Sequence, residues 1–209
     1  MTSQKEELTT DTSRLLILGS GSSARKELLL SAGLNPDKIE RPNVDECPKP
    51  SESPRHYVSR VARLKARAIP CDKRSYLITA DTTVAVGKRF LLKTSDEIKA
   101  EEYLRLLSGR RHSVFTAFCV KHNNLIILKL VKTVLKMRLL TKEEIRTYIE
   151  CREWVGCAGG YSIQGRAKSF FPFISGCYSN IVGLPLPSLM GVLRAIGFFK
   201  KYYDERNNN

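Results

Sequence analysis

The 209-residue chain has no CxxC pair, three histidines, one tryptophan and no apolar run long enough to cross a membrane. Each absence removes a class of protein. Its six cysteines, Cys47, Cys71, Cys119, Cys151, Cys157 and Cys177, are scattered, which points to free thiols in a reducing, cytoplasmic compartment. His56, His112 and His122 do not stand at ligand spacing from those cysteines, so a zinc site is not expected. Residues 1–13 are polar and the apolar run 15–18 is short, so the start reads as a disordered leader without a signal peptide. Asp and Glu are missing altogether from Trp154 to Tyr203, where Arg166, Lys168, Arg194, Lys200 and Lys201 remain. Such a stretch fits a surface facing polyanions, or simple solubility.

What is present is an ordinary globular composition, 42% hydrophobic, with a net charge of +14. Basic residues are spread along the chain instead of forming a tail, and no aromatic stacking motif accompanies them, so nucleic acid is not the expected partner. The segment Leu15-Leu16-Ile17-Leu18-Gly19-Ser20-Gly21-Ser22-Ser23-Ala24-Arg25-Lys26 carries more information. It reads as a strand, a tight turn and a helix N-terminus. Free backbone N–H groups and the positive end of a helix dipole make such a turn an anion site. Arg25 and Lys26 oppose that dipole, and a bound phosphate removes the conflict. The pattern matches neither the Walker A motif nor GxGxxG.

The pattern predicts strands at 14–20, 39–45 and 76–86, and helices at 22–32, 54–69, 95–107, 142–150 and 187–197. Two long β segments, 112–121 and 125–139, are joined by Asn123-Asn124 as a hairpin turn. Thr141 and Glu144 form a capping box. Gly33 closes the first helix, Gly87 makes a turn, and Pro54 and Pro187 stand at helix starts. A Pro/Ser/Glu-rich loop covers 47–54, a Gly-rich segment 156–165, an apolar piece 169–175, and a polar tail 200–209. The class is α/β with a mixed sheet.

Some residues break their local pattern. In helix 54–69, Tyr57, Val58, Val61, Ala62, Leu64, Ala68 and Ile69 make one apolar arc, with His56, Arg60, Arg63 and Arg67 opposite. Lys65 falls inside the apolar arc, between Val61 and Val58. It is either a snorkelling side chain or a cation facing a cleft, and a buried ammonium needs a partner. Asp81 interrupts an apolar strand and needs a partner, a metal or a catalytic task. Glu46 supplies a second carboxylate, and a carboxylate pair is a common way to hold a divalent ion over a triphosphate. Lys93 ends the short strand after Gly87-Lys88-Arg89, in reach of phosphate. Gly159-Gly160-Tyr161-Ser162-Ile163-Gln164-Gly165 reads as a mobile loop presenting one amide, which donates and accepts at once.

Together these blocks resemble the Maf family of nucleoside triphosphate pyrophosphatases, once described as septum-formation inhibitors. The resemblance runs from Leu15 to Gly197. Its blocks are Gly19-Ser20-Gly21-Ser22 with Arg25 and Glu27-Leu28-Leu29; Val44-Asp45-Glu46; Arg63-Leu64-Lys65-Ala66; Ala80-Asp81-Thr82; Lys93; Leu107-Ser108-Gly109-Arg110 with His112, Val114 and Thr116; the 158–165 segment; and Val182-Gly183-Leu184-Pro185-Leu186. The resemblance implies an elongated mixed α/β sheet flanked by helices, with two lobes around a cleft, like the inosine triphosphate pyrophosphatases. It implies metal-dependent cleavage of a nucleotide's α–β phosphoanhydride, with Mg²⁺, Mn²⁺ or a similar ion. Asp81 takes the place of the base and Glu46 of its metal-linked partner. Ser20, Ser22, Arg25, Lys65 and Lys93 take those of phosphate ligands. A nucleoside triphosphate is the implied partner, a homodimer is compatible with it, and no membrane is.

The family divides by substrate. A branch acting on dTTP and UTP carries Asp-Thr and Ile-Gln-Gly; one acting on 7-methylguanosine triphosphate carries Asp-Gln and Ser-Glu-Gly. Thr82 and Gln164 place this chain with the first, and Ala24, Thr82 and Gln164 are its base-selecting positions. Departures accompany this placement. Ser23 and Ala24 stand where that branch usually has proline and its first arginine, Thr94 follows Lys93 in place of proline, and Gly156-Cys157 replaces the usual Asp-Lys. A lost cation beside a triphosphate costs about 1.5–3 kcal/mol if it made a charged hydrogen bond. A catalytically weakened protein that acts by binding in cell division is the alternative.

Overall fold

A run rich in apolar and β-branched residues forms the central strand β3 (Ser75–Val86). The structure, a computed structural model, describes residues 14–199; the leader at 1–13 and the tail at 200–209 lie outside the described residues. Before β3 come β1 (Leu15–Gly19), α1 (Ser23–Ser31), β2 (Lys38–Ile39) and α2 (Pro54–Ala68). After it come β4 (Arg89–Leu91), α3 (Glu97–Leu107), β5 (Arg111–His122), β6 (Leu125–Lys136) and α4 (Lys142–Glu150). A 3-10 turn (Arg166–Phe170), β7 (Phe173–Ser175), α5 (Tyr178–Val182) and α6 (Leu186–Ala195) complete the order. The seven-stranded sheet runs β2-β1-β3-β5-β6-β7, with β4 on β3. Its β1 pairings are parallel and the others antiparallel, the expected mixed sheet flanked by helices.

Successive side chains of a strand point to opposite faces, and that alternation places the cores. Tyr76, Ile78 and Ala80 of β3 share a face with Phe118 and Val120 of β5, packed with Leu29 of α1 and Leu189 and Leu193 of α6. Further along the same face, Val84 and Val114 join a second core with Tyr103 and Leu104 of α3 and Ile145 and Tyr148 of α4. These two apolar cores lie on one face of the sheet. Between them the face turns polar, with Thr82 opposite Thr116. The other face carries Ala85, Phe115, Ala117 and Cys119 against Tyr57, Val58, Val61 and Ala62 of α2.

The same register opens the cleft. β1 covers one edge of β3 only as far as Thr79, and β4 takes up that edge only from Val84. Residues 80–83 therefore face a gap where a parallel neighbour gives way to an antiparallel one. It lies beyond the carboxyl end of β1, where the order β2-β1-β3 reverses, and open α/β sheets bind ligands at such switch points.

Several predicted boundaries shift. The strand expected at 39–45 shrinks to Lys38–Ile39, because Pro42 has no N–H to continue the ladder. The strand expected to reach 139 ends at Lys136, and the N–H of Arg138 donates to Phe170 O instead. The piece 169–175 divides between the 3-10 turn and β7. Helix α5 was not anticipated, since five residues are too few to show a period. In α2, Ala66 is buried as Ala62 is, whereas Ala68, expected on the apolar arc, is exposed. Helix α4 begins at the predicted capping box, where Glu144 N–H donates to Thr141 Oγ1 at 3.1 Å and Thr141 N–H to Glu144 Oε2 at 2.9 Å.

Candidate active site

The β1–α1 turn delivers the first cation. Ser22 caps α1 by accepting from Arg25 N–H at 3.4 Å, and its own N–H donates to Ser20 Oγ at 3.3 Å. Arg25 is only 4% exposed. Its Nε donates to Gly183 O at 2.8 Å, Nη1 to Ser20 Oγ at 3.0 Å and Nη2 to Thr82 Oγ1 at 3.1 Å. These acceptors are neutral, and a guanidinium has more donors than they use. Burial pulls the Arg25 pKa down, opposed through space by the Asp81 and Glu46 carboxylates. Gly183 has φ of 127°, and a Cβ there would sit 3.4 Å from Arg25 Nε, so glycine keeps this corner open. A cation that the sequence did not single out stands over the turn: a Cβ at Gly21 would lie 2.7 Å from Arg41 Nε.

On the opposite face of β3 stands the acidic half. Helix α2 aims Lys65, 6% exposed, at the sheet. Its Nζ donates to Asp81 Oδ1 and lies by Glu46 Oε1, both at 2.9 Å. The charge inside the apolar arc is thus a buried, doubly paired ammonium, not a snorkelling one. Asp81 is 4% exposed, and its Oδ2 is buried without a partner. Burial raises the Asp81 pKa above the usual carboxylate range, against the pull of Lys65 and Arg25. Glu46, on the loop before α2, keeps its side chain 44% exposed.

Lys93 leaves β4 exposed on the cleft, its backbone bridged to Ala158. Crowding by the cleft walls, with the cations Arg25 and Lys65 behind it, holds its ammonium below the usual lysine range. A cleft of about 280 Å³ is lined by Ser22, Ala24, Arg25, Thr82, Lys93 and Gln164, among others. A second hollow contains Glu46, Tyr57 and Asp81, and shares Thr82 and Lys93 with the first. The chain thus brings its nominated residues together around the gap in the sheet.

The loop carrying Gln164 differs from expectation. It is anchored instead of mobile: Tyr161 Oη meets His112 Nε2 at 2.9 Å and Ser162 N–H donates to Tyr148 Oη at 2.9 Å. Burial pushes the His112 pKa down to about 4, so the ring is neutral at pH 7. Gln164 itself stays exposed at the cleft rim. Helix α2 keeps Arg55, His56, Arg63 and Arg67 on its solvated face, while Arg60 is engaged with Glu52 at 2.7 Å.

Among the described residues, no group of three or more His, Cys, Asp or Glu is placed to hold a metal alone. The carboxylates present still fit a divalent ion that completes its shell with phosphate. Asp81 offers a bare oxygen and Glu46 a half-open carboxyl.

A mixed α/β sheet with a helix N-terminus, a buried guanidinium and a buried carboxylate at the gap in β3 defines an open, polar cleft. The profile of the Maf-like protein family matches residues 15–196, and the chain belongs to that family. A dTTP/UTP pyrophosphatase of Roseobacter denitrificans is 46% identical over 184 residues, covering 88% of this chain and 98% of that protein. Proteins of the same description from Ruegeria sp. and Brucella abortus are 43% and 44% identical, covering 87% and 88% of this chain and 94% and 92% of their own. Among solved structures, a HAM1 protein from Coxiella burnetii is 13% identical, with a TM-score of 0.40, over 58% of this chain and 72% of that one.

Proposed function

We propose that this chain hydrolyses the α–β phosphoanhydride of dTTP, UTP or a modified pyrimidine nucleoside triphosphate, giving a monophosphate and pyrophosphate and clearing nucleotide pools. The names of its relatives supply the substrate class. The chemistry rests above all on Asp81 Oδ2, a buried acceptor without a partner, beside a gap rimmed by cations.

In this reading Asp81 Oδ2 takes the proton of the attacking water as its oxygen bonds to phosphorus and the anhydride P–O bond breaks. Lys65 holds Asp81 ionised and turned to the gap, with a further ammonium proton for a phosphate oxygen. Arg25, Ser20, Ser22 and Lys93 hold the phosphate chain, and the turn before α1 adds backbone donors. Glu46 and Asp81 would hold a divalent cation such as Mg²⁺ or Mn²⁺. When bound, that ion neutralises phosphate charge and polarises the reacting phosphorus. Gln164 and Ala24, at the rim, select the base. The free thiols suit the cytoplasm.

Pyrophosphate release from a panel of canonical and modified nucleotides, with Mg²⁺ or Mn²⁺, tests the proposal. Turnover of dTTP and UTP is expected. Ala24 and Cys157, at the cleft where its family has cations, favour a second reading as a weakened enzyme that acts by binding. Binding of nucleotides without turnover would select it.

A further inference from the structure

The floor of the cleft holds a chain of hydrogen bonds in which every proton has a direction. Arg25 Nη2 meets Thr82 Oγ1 at 3.1 Å, Thr82 Oγ1 meets Thr116 Oγ1 at 3.0 Å, and Thr116 Oγ1 donates to the carbonyl of Asn180 at 2.9 Å. A guanidinium only donates and a carbonyl only accepts. The two ends therefore fix the middle. Thr116 spends its proton on Asn180 O, so Thr82 must donate to Thr116, and the lone pairs of Thr82 are left to Arg25. The alternative acceptor for Thr82, Gly183 O at 3.4 Å, is more distant and already receives Arg25 Nε.

The far end is firmly built. Asn180 O belongs to the last turn of α5, where helical carbonyls lack partners, and Thr116 satisfies it. Asn180 Nδ2 donates to Val114 O at 3.2 Å and Thr133 Oγ1 at 3.0 Å, and Thr133 Oγ1 donates to Cys177 O at 3.0 Å. Thr116, Thr133 and Asn180 are each 0% exposed, so none of the three touches a ligand in the cleft.

The geometry points to Thr116, anchored on Asn180, as a positioning residue for the phosphate-binding Arg25, acting through Thr82. This rests on the proposed function for its ligand, a phosphate chain. Thr82, on this account, serves the arginine and presents no proton to a base. Its oxygen can exert its influence on substrate choice only by accepting, or by aiming Arg25.

The test compares Thr116→Val, which keeps shape and loses the hydroxyl, with Thr116→Ser, which keeps the hydroxyl. Pyrophosphate affinity by calorimetry and KM and kcat for dTTP are measured on the full chain, with thermal melting alongside. Thr116→Val should weaken pyrophosphate binding and raise KM by about three- to tenfold, with kcat changed less than about twofold. Thr116→Ser should restore both. In a Thr82→Val background, Thr116→Val should add nothing, because the link is already cut. Should Thr116→Val fail to fold, Thr116→Cys, a poor donor of similar size, takes its place. Unchanged pyrophosphate affinity, failure of serine to rescue, or an undiminished effect in the Thr82→Val background overturns the inference. A wild-type chain that binds pyrophosphate with this pattern but turns over no nucleotide would sink the proposed function and leave the positioning role standing. Wild-type turnover without any Thr116 dependence does the reverse.

Discussion

Two adjacent residues of β3 head two different chemistries. Asp81 points to α2, where two carboxylates and one ammonium are drawn together at 2.9 Å. Thr82 points to the opposite face, where a buried guanidinium is held by a hydroxyl from Ser20, a hydroxyl from Thr82 and a backbone carbonyl, all neutral. The first face pairs one ammonium with two carboxylates, keeps a net negative charge and leaves one carboxylate oxygen bare, which suits moving a proton. The second leaves a positive charge without a carboxylate in hydrogen-bond contact, reached by Asp81 and Glu46 only through space. Burying a charge is tolerated when a partner is at hand. On one face the chain supplies the partner, and on the other the proposed function assigns that part to the substrate.

The comparison breaks most sharply at Asp81. Asp81→Asn keeps the size and the bond to Lys65 but cannot accept the proton of water. General-base catalysis is worth about 10²–10⁴-fold, so kcat should fall by about three orders of magnitude. The melting temperature should stay close to wild type. A purified variant that keeps most of its pyrophosphate release removes Asp81 from the role of base.

On the other face the loss should appear in KM. Arg25→Lys retains charge but not the fork that reaches Ser20, Thr82 and Gly183 together. Losing charged hydrogen bonds worth about 1.5–3 kcal/mol raises KM for dTTP by about 10- to 150-fold. Its kcat should change far less than that of Asp81→Asn. Equal kcat losses in the two variants would erase the distinction between the faces.

The two faces were also unequally legible in the sequence. Asp81 and Lys65 stand out because a charge in an apolar pattern is costly, so each announces a partner. Arg25 is marked by opposing a helix dipole. Thr116 and Asn180 give no such signal. Threonine is at home in any strand, and Asn180 lies in a helix of five residues that shows no period. The anchored loop at 159–165 reads as mobile in the sequence for a related reason. Glycines signal freedom in the chain, while the hydrogen bond between Tyr161 and His112 spans 49 positions and leaves no local trace. The long strands, the hairpin and the long helices follow from pattern, whereas α5 and β7 do not; the gap at residues 80–83 follows only from which strands become neighbours.

Lys65 joins the acidic face, and its removal separates charge from shape. Lys65→Met keeps the apolar stem and deprives Asp81 of a cation that lowers its pKa. Activity requires ionised Asp81, so it falls as pH drops through that pKa, already above the usual aspartate range in the wild type. In the variant the acid limb of kcat/KM should move to higher pH, with turnover near pH 7 reduced by about tenfold. Arg63→Met, on the exposed side of the same helix, should leave the profile unmoved. Coincident acid limbs in wild type and Lys65→Met would detach the ammonium from the base.

The smallest effect, and the most specific, is expected at Gln164, which belongs to neither face and stands at the rim of the cleft. A thymine or uracil edge presents one N–H donor between carbonyl acceptors, and an amide meets both kinds of group. Gln164→Glu leaves an acceptor only. One base carbonyl then loses its donor and faces a negative charge, whereas the cationic base of 7-methylguanosine triphosphate gains a counter-charge. The loop does not rearrange to compensate, because Tyr161 and Ser162 fix it to His112 and Tyr148. Gln164 is exposed, so water softens the loss, and a fall of about three- to tenfold in kcat/KM for dTTP and UTP is expected. The fall for 7-methylguanosine triphosphate should be smaller. Since Asp81 and Arg25 are untouched, the ratio of efficiencies moves while the acid limb of the pH profile stays in place. A ratio that does not move would mean that Gln164 does not touch the base, and the selection would then have to lie with Ala24 and Thr82.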